Sequence, residues 1–355
     1  MDPKELIKRY QAGQKDFVRV KLPGADLRGA NLRGANFFEA DLRRADLRRA
    51  DLRESNLDGA CLAEANLVGS NLAESHLFKA DLRRADLRGA NLRQANLGKA
   101  DLTGANLTQA HLIGTNLAEA FLFEAQLRES VARQANLRGA GLGGASLTGA
   151  NLQGADLDGA GLSGAGLSGA NLNGASLRRA NLYGANLTEA KLAGADLAGV
   201  SLYGAYLFKA DLRGGKLQQA VLEEANLGGA NLDRADLEGA DLSGADLDGA
   251  SLVEARLAKA KLNGAKLKLA SLRGADLRHA TLGQADLRLA DLSQADLAGA
   301  DLAGANLSQA DLEQANLREA TLTGTGLKGV KLSGATLPDG KKKGMFANLK
   351  KFTGG

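Results

Sequence analysis

The chain has 355 residues, 24% of them charged and only 4% aromatic, with no tryptophan, so a core built on large rings is excluded and burial must rest on many small aliphatic contacts. One cysteine, Cys61, rules out an intramolecular disulfide framework and a thiolate metal cluster. The net charge of +4 sits at the ends: residues 1–20 carry +2 and residues 338–355 carry +4, leaving about −2 for everything between.

The first expected element is a short helix within residues 1–15. Asp2-Pro3-Lys4-Glu5 supplies an N-cap acceptor, a proline at the first helical position and a glutamate at the reciprocal capping position. Leu6, Ile7 and Tyr10 then form an apolar face ahead of Gly13. The start shows no apolar signal core, and no stretch approaches the roughly 18 apolar residues of a membrane span, so a cytoplasmic location is expected.

From residue 16 to residue 340 the chain keeps one five-residue frame of about 64 pentads, with leucine at every fifth position from Leu22 to Leu337 save Phe37 and Ala132. The unit is Ala-Asp/Asn-Leu-X-X, as in Ala25-Asp26-Leu27-Arg28-Gly29, and its positions are numbered one to five. In an extended segment alternate side chains share a face, so Ala and Leu at positions one and three point inward and position two points out. Glycine fills about half of the fifth positions, where it suits the positive φ of a type II turn. Pentads with Arg, Glu, Gln or Lys there are expected to use a turn without that demand.

Spacings of 20 recur and suggest four pentads per coil. Phe17 and Phe37, the two phenylalanines in position three, are 20 apart, as are Tyr183 and Tyr203. Each basic residue in position two (Lys21, Lys191, Lys216, Arg256, Lys261, Lys266, Lys331) has an Asp 20 residues away on at least one side, which suits columns of opposite charge.

These pentads resemble the pentapeptide-repeat family. The resemblance implies an all-β solenoid, a right-handed quadrilateral β-helix of about 16 coils with four pentapeptides each and short helical caps. At a strand spacing of about 4.8 Å it would be a rod on the order of 75 Å long. Arg9-Tyr10-Gln11-Ala12-Gly13, Asp16-Phe17 and Leu337-Pro338-Asp339-Gly340 are similar to the layout of cyanobacterial members, one of which regulates heterocyst differentiation by protein–protein contact. The division is thus a capping helix over 1–15, the repeat over 16–340 and a basic tail or cap over 341–355. Other members mimic duplex DNA and bind gyrase, but that role needs an acidic surface, whereas this body is near neutral and has no loops inserted between coils.

Function is sought in departures from the repeat. Ala132, within Ser130-Val131-Ala132-Arg133, puts a methyl group where leucine is expected and marks a void, a shift that turns Val131 inward, or a bend. Residues 139–174 have glycine in every fifth position and make a smooth wall. Phe123, Tyr183, Tyr203, Tyr206 and Phe208 point outward by pattern and form the candidate interaction patch, for a partner protein or for self-association side by side or end to end. Arg28, Arg48 and Arg88 share a column, but interleaved Asp26, Asp46 and Asp86 read as a salt-bridge lattice, so nucleic acid is not the expected partner. In the tail, Phe346, Leu349 and Phe352 among lysines suit a cap or a peripheral contact with an anionic membrane.

Catalysis has little support. His76, His111 and His279 lie in different columns, carboxylates are spread over open faces, and no phosphate loop is present. No cofactor, metal or enzyme activity is expected; the leading expectation is a non-enzymatic scaffold or protein-binding protein.

Overall fold

In the computed structural model residues 1–342 and Thr353 are described. They belong to two compact units, Met1–Asn181 and Leu182–Gly355. The expectations for Phe346, Leu349 and Phe352 in the tail lie outside the described residues.

A single accounting of backbone donors explains the pentad in both units. The position-three N–H donates to the position-two carbonyl one coil on, as Leu27 does to Asp46 at 2.8 Å, and the position-five N–H donates likewise, as Gly29 does to Arg48 at 2.9 Å. The position-two N–H donates back to the preceding coil, as Asp46 does to Ala25 at 2.8 Å. The position-one N–H closes the turn onto the position-three carbonyl, as Ala30 does onto Leu27 at 3.1 Å. The N–H of position four is the donor left over, and it needs a side chain.

Aspartate or asparagine in position two supplies one. Its carboxylate or amide oxygen accepts the N–H two residues on, as in Arg28 to Asp26 at 3.3 Å and Val68 to Asn66 at 3.2 Å, which is an Asx turn. Hence Asp and Asn dominate position two although its side chain faces solvent. At five pentads where position two lacks them, an Asp or Asn in position four of the coil before takes over. Asp58 accepts from Phe78 N–H, Asp158 from Arg178, Asp233 from Val253, Asp248 from Lys268 and Asn263 from Gly283.

The ladder fixes the register at 20 residues. In the first unit parallel bridges run from Asp16↔Asn36 to Gly161↔Asn181, and in the second from Asn186↔Tyr206 to Asn316↔Thr336. Four pentads therefore make one turn of each solenoid. The leucines of position three and the alanines of position one are buried almost throughout and form the core. Burying each leucine contributes about 1.5–3 kcal/mol. Ser55 and Ser75 replace Ala in position one and donate to Leu52 and Leu72 carbonyls in their own turns. Phe17 and Phe37 stack at 5.7 Å in the leucine column.

One expectation about the corners is corrected. Non-glycine residues in position five take the same left-handed conformation as glycine: Arg44 and Glu54 have φ 58°, Lys99 59° and Gln94 56°. The ladder causes this, because it holds the corner's N–H and both flanking pentads and leaves no room for another turn type. Left-handed backbone costs such a residue roughly 1 kcal/mol. The sequence carries the trace of that strain, since no β-branched residue occupies a fifth position between Arg19 and Gly334.

The N-terminal helix α1 spans Pro3–Gln11, with Asp2 accepting Glu5 N–H at 2.9 Å. Glu5 does not complete a reciprocal capping pair; its carboxylate takes Arg9 one turn on, at 2.6 Å. Leu6 is buried and Tyr10 Oη donates to the Arg33 carbonyl at 2.8 Å, so the helix lies against the first coil. At the other end Lys342 bridges Thr336 antiparallel and Thr353 accepts the Gly324 N–H. Among the described residues no helix is long and apolar enough to cross a membrane.

Candidate interaction surface

Because positions two and four point outward, each aromatic there stands on a wall, and what lies beside it is the residue 20 away. Tyr183 and Tyr203 occupy one column of the second unit and stack in parallel, centroids 5.6 Å apart with 1° between ring planes. The Glu224 carboxylate beside it holds the Tyr203 phenol above its ordinary pKa. Tyr206 lies in the ladder between Asn186 and Asn226 and is 55% exposed, as is Tyr183. Phe208 is exposed, with Lys209 Nζ 5.2 Å from its ring centroid. Tyr203 and the pair Tyr206 and Phe208 thus fall in successive pentads, on neighbouring walls of one unit, with Tyr183 one coil before Tyr203.

Phe123 belongs to the first unit, where its partner is Phe121 at 6.4 Å. Phe121 is 49% exposed and was not among the expected patch residues, although position two points outward by the same alternation. The Phe123 ring lies over the next coil: a Cβ placed on Gly141 would sit 2.7 Å from its Cζ, and one on Gly143 3.3 Å from its Cδ1. Phe78 covers Gly98 and Phe208 covers Gly228 in the same way. At three of the four glycines in position four, Gly98, Gly143 and Gly228, a ring from the previous coil thus lies over the backbone, while Gly283 has Asn263 there instead.

The arginine columns are occupied by their own carboxylates. Arg28, Arg43, Arg48, Arg53, Arg83 and Arg88 each fork onto the Asp two residues earlier at 2.6–2.7 Å. The fork from Arg28 and its N–H bond pull the Asp26 carboxyl down to about 2, and the same arginine forks hold Asp41, Asp46, Asp51 and Asp81 below the usual range. Of the expected cross-coil pairs, Arg256–Asp236, Lys261–Asp241, Lys266–Asp246 and Lys331–Asp311 form, each toward the preceding coil. Lys21 and Lys191 do not join this set, because Asp41 and Asp211 are taken by Arg43 and Arg213. Lys216 forms no such pair either; Asp236 is taken by Arg256 and accepts from Gln218.

At Ala132 the ladder continues, with Ala132 N–H to Asn151 at 2.8 Å and Leu112 N–H to Val131 at 2.7 Å, and the Val131 side chain stays on the outer side. Neither a bend nor an inward shift accompanies the missing leucine. The buried Ser130 hydroxyl beside it lacks a hydrogen-bond partner among the described residues. Leu269 and Leu289, also unforeseen, are 60% and 43% exposed in left-handed corners at φ 61°. Among the described residues no group of three or more His, Cys, Asp or Glu side chains converges to hold a metal ion.

This geometry defines a repeat solenoid whose chemistry lies on open walls, and the comparisons agree. The family model "Pentapeptide repeats (8 copies)" matches in overlapping segments from residue 16 to residue 337. The chain belongs to the pentapeptide-repeat family. It is similar to HetL, a pentapeptide repeat protein involved in heterocyst differentiation regulation from the cyanobacterium Nostoc sp. strain PCC 7120, with 31% identity over 97% of this chain and 100% of that one, TM-score 0.21. Full-length QnrB1, a plasmid-mediated fluoroquinolone resistance protein, matches at 20% identity over 47% of this chain and 91% of its own, TM-score 0.28. Rfr23 from the cyanobacterium Cyanothece 51142 matches at 33% identity over 30% of this chain and 58% of its own, TM-score 0.13. No curated protein matches the chain.

Proposed function

We propose that this is a non-enzymatic protein-binding scaffold of the cytoplasm, a right-handed quadrilateral β-helix of about 16 coils with α1 as its N-terminal cap. The observation that carries this reading is the stack of exposed Tyr183 on half-buried Tyr203, with exposed Tyr206 and Phe208 on the neighbouring wall, a group of large rings on otherwise polar walls. Buried in a partner's pocket, such rings supply contact area at low entropic cost. Gyrase binding by DNA mimicry is disfavoured, because arginine forks pair with six aspartates of the first unit and the second unit carries a coil, residues 256–275, whose charged residues are all basic.

Affinity capture from extracts of the native cell tests this. The wild-type chain is expected to retain a protein at moderate salt, and replacement of Tyr183, Tyr203, Tyr206 and Phe208 by alanine is expected to lower its recovery at least tenfold. Equal recovery by the two proteins would overturn the patch. Capture lost with rising salt in the wild type would favour an electrostatic binder instead.

A further inference from the structure

Charge in the second unit is sorted by coil. Residues 236–255 contain Asp236, Glu238, Asp241, Asp246, Asp248 and Glu254 with no basic residue, a charge of −6. Residues 256–275, the next coil, contain Arg256, Lys259, Lys261, Lys266, Lys268 and Arg273 with no acidic residue, a charge of +6. Three walls cancel part of this internally to different extents. Arg256 reaches both Asp236 and Glu238, at 2.9 and 3.3 Å, and Lys261 reaches Asp241 at 3.0 Å. On the wall of Asp246 and Asp248 cancellation is weaker than on these two: Lys266 stands 3.8 Å from Asp246, and Lys268 makes no ion pair among the described residues, while on the fourth wall Glu254 pairs with Arg234 of the coil before.

The same wall has sorted relief. Its corner column reads Gly229, Gly249, Leu269, Leu289 on four successive coils, and these are the only leucines in any fifth position. Both leucines are exposed on left-handed backbone, a conformation that disfavours them and gives them no burial in return.

We propose that this wall binds a second copy of the chain, antiparallel. Consider a two-fold axis lying in the interface, parallel to the strands and midway between the coils of Asp246 and Lys266. It reverses the coil order of the second copy and leaves each column facing itself. Asp248 then faces Lys268 of the second copy, and Asp246 faces its Lys266. Leu269 enters the space above Gly249 of the second copy, and Leu289 that above its Gly229. At the edge of the contact the Phe208 ring faces the small Ser308. A parallel arrangement would instead set the acidic coil 236–255 against its own copy, the basic coil 256–275 against its own copy and the two leucine-bearing corners at the same levels, so charge and shape choose the same orientation.

The contact spans six coils, from Tyr206 to Asn306, and at about 4.8 Å per coil is roughly 25–30 Å long and one strand wide. That is below the roughly 800 Å² per partner of a standard stable interface, so the dimer is concentration-dependent and weakened by salt. Only the general reading of the chain as an interaction protein is assumed. The Tyr183–Tyr203 stack lies outside this wall, so Tyr183→Ala with Tyr203→Ala reduces capture of a foreign partner and leaves self-association unchanged.

Sedimentation equilibrium of the full chain tests the proposal. The wild type is expected to dimerise at low salt and to dissociate as salt rises. Lys268→Glu and Asp248→Lys, each alone, set like charges face to face and are expected to weaken the dimer at least tenfold. An equimolar mixture pairs Asp248 with Lys268 across one half of the interface and the two exchanged charges across the other. It is therefore expected to form heterodimers within about threefold of the wild-type affinity. Thermal transitions of both variants verify that they fold. A wild type that stays monomeric to about 1 mM would overturn the proposal. So would folded single variants that dimerise like the wild type, or a mixture of folded variants that stays monomeric.

Discussion

Residues 26–88 and residues 236–275 obey the same pentad rule and handle charge in opposite ways. In the first stretch an Asp in position two serves its own pentad twice, accepting the position-four N–H and the arginine beside it, as Asp26, Asp46 and Asp86 do for Arg28, Arg48 and Arg88. Charge cancels within a few ångströms and the wall is nearly neutral. In the second stretch the coil 256–275 has Arg256, Lys261, Lys266 and Ser271 in position two and no Asp or Asn among them. Both needs then fall on the preceding coil: Asp248 accepts the Lys268 N–H, while Asp236, Asp241 and Asp246 receive the cations. One substitution pattern in position two thus converts local pairing into whole coils of opposite charge, which is what a second molecule can read.

The largest effect should come from removing a borrowed acceptor. Asp158 accepts the Arg178 N–H, the Arg178 guanidinium and the Ser176 hydroxyl, and its side chain is 9% exposed. Asp158→Ala should lower stability by about 2–3 kcal/mol in chemical denaturation, because a backbone donor and a guanidinium lose their partner together. Ser176→Asp should restore part of this by giving the pentad its own acceptor, and failure of the rescue would break the rule that one Asp substitutes for the other. Asp26→Ala, at a self-sufficient pentad with the carboxylate in solvent, should cost much less.

Next comes reversal of a cross-coil pair. Arg256→Glu places a carboxylate against Asp236 and Glu238 and should destabilise by about 1 kcal/mol, with recovery at high salt. Arg28→Ala, by contrast, should stay near the error of a melting experiment, since exposed ion pairs contribute little.

The smallest effect is a pH dependence. Arginine forks depress the folded pKa of Asp26 to about 2 from 3.8 and lower those of Asp41, Asp46 and Asp51. The folded state therefore binds these protons less readily than the unfolded chain. Their contribution is present above about pH 4 and is lost as pH falls from there toward 2. Arg28→Ala, Arg43→Ala and Arg48→Ala together should flatten this acid slope, which a series of melts between pH 5 and 2 would measure.

Much of the fold was legible because its cause is local. Leucine in position three and alanine in position one state the inward face, and paired phenylalanines and tyrosines 20 apart state the coil. The corner conformation was misjudged at Arg44 and Glu54 because side-chain preference favours one backbone and the ladder imposes another. Here the tertiary constraint outweighs a cost of about 1 kcal/mol. The role of Asp58 and Asp158 was hidden because their acceptors act on residues 20 further along, yet the signal exists: each is followed, one coil on, by His76 or Ser176 in place of Asp or Asn. The expected aromatic patch was partly legible. Alternation placed Tyr183, Tyr203, Tyr206, Phe208 and Phe123 outside, but the stacking of the first two and the burial of glycine backbone under Phe123 and Phe208 depend on ring rotamers. Leu269 and Leu289 carry no signal one at a time, because single exposed leucines are common; their meaning comes from sharing a column on successive coils.

The central claim is that coil-sorted charge and relief make one wall of the second unit complementary to itself in the antiparallel sense. Cysteine cross-linking in a Cys61→Ser background reads that register most directly. Gly249→Cys and Leu269→Cys proteins, mixed under mild oxidation at low salt, should form a disulfide between unlike chains, and neither alone should cross-link efficiently. Efficient homodimeric cross-linking of the Leu269→Cys protein, with no preference for the mixture, would contradict the claim.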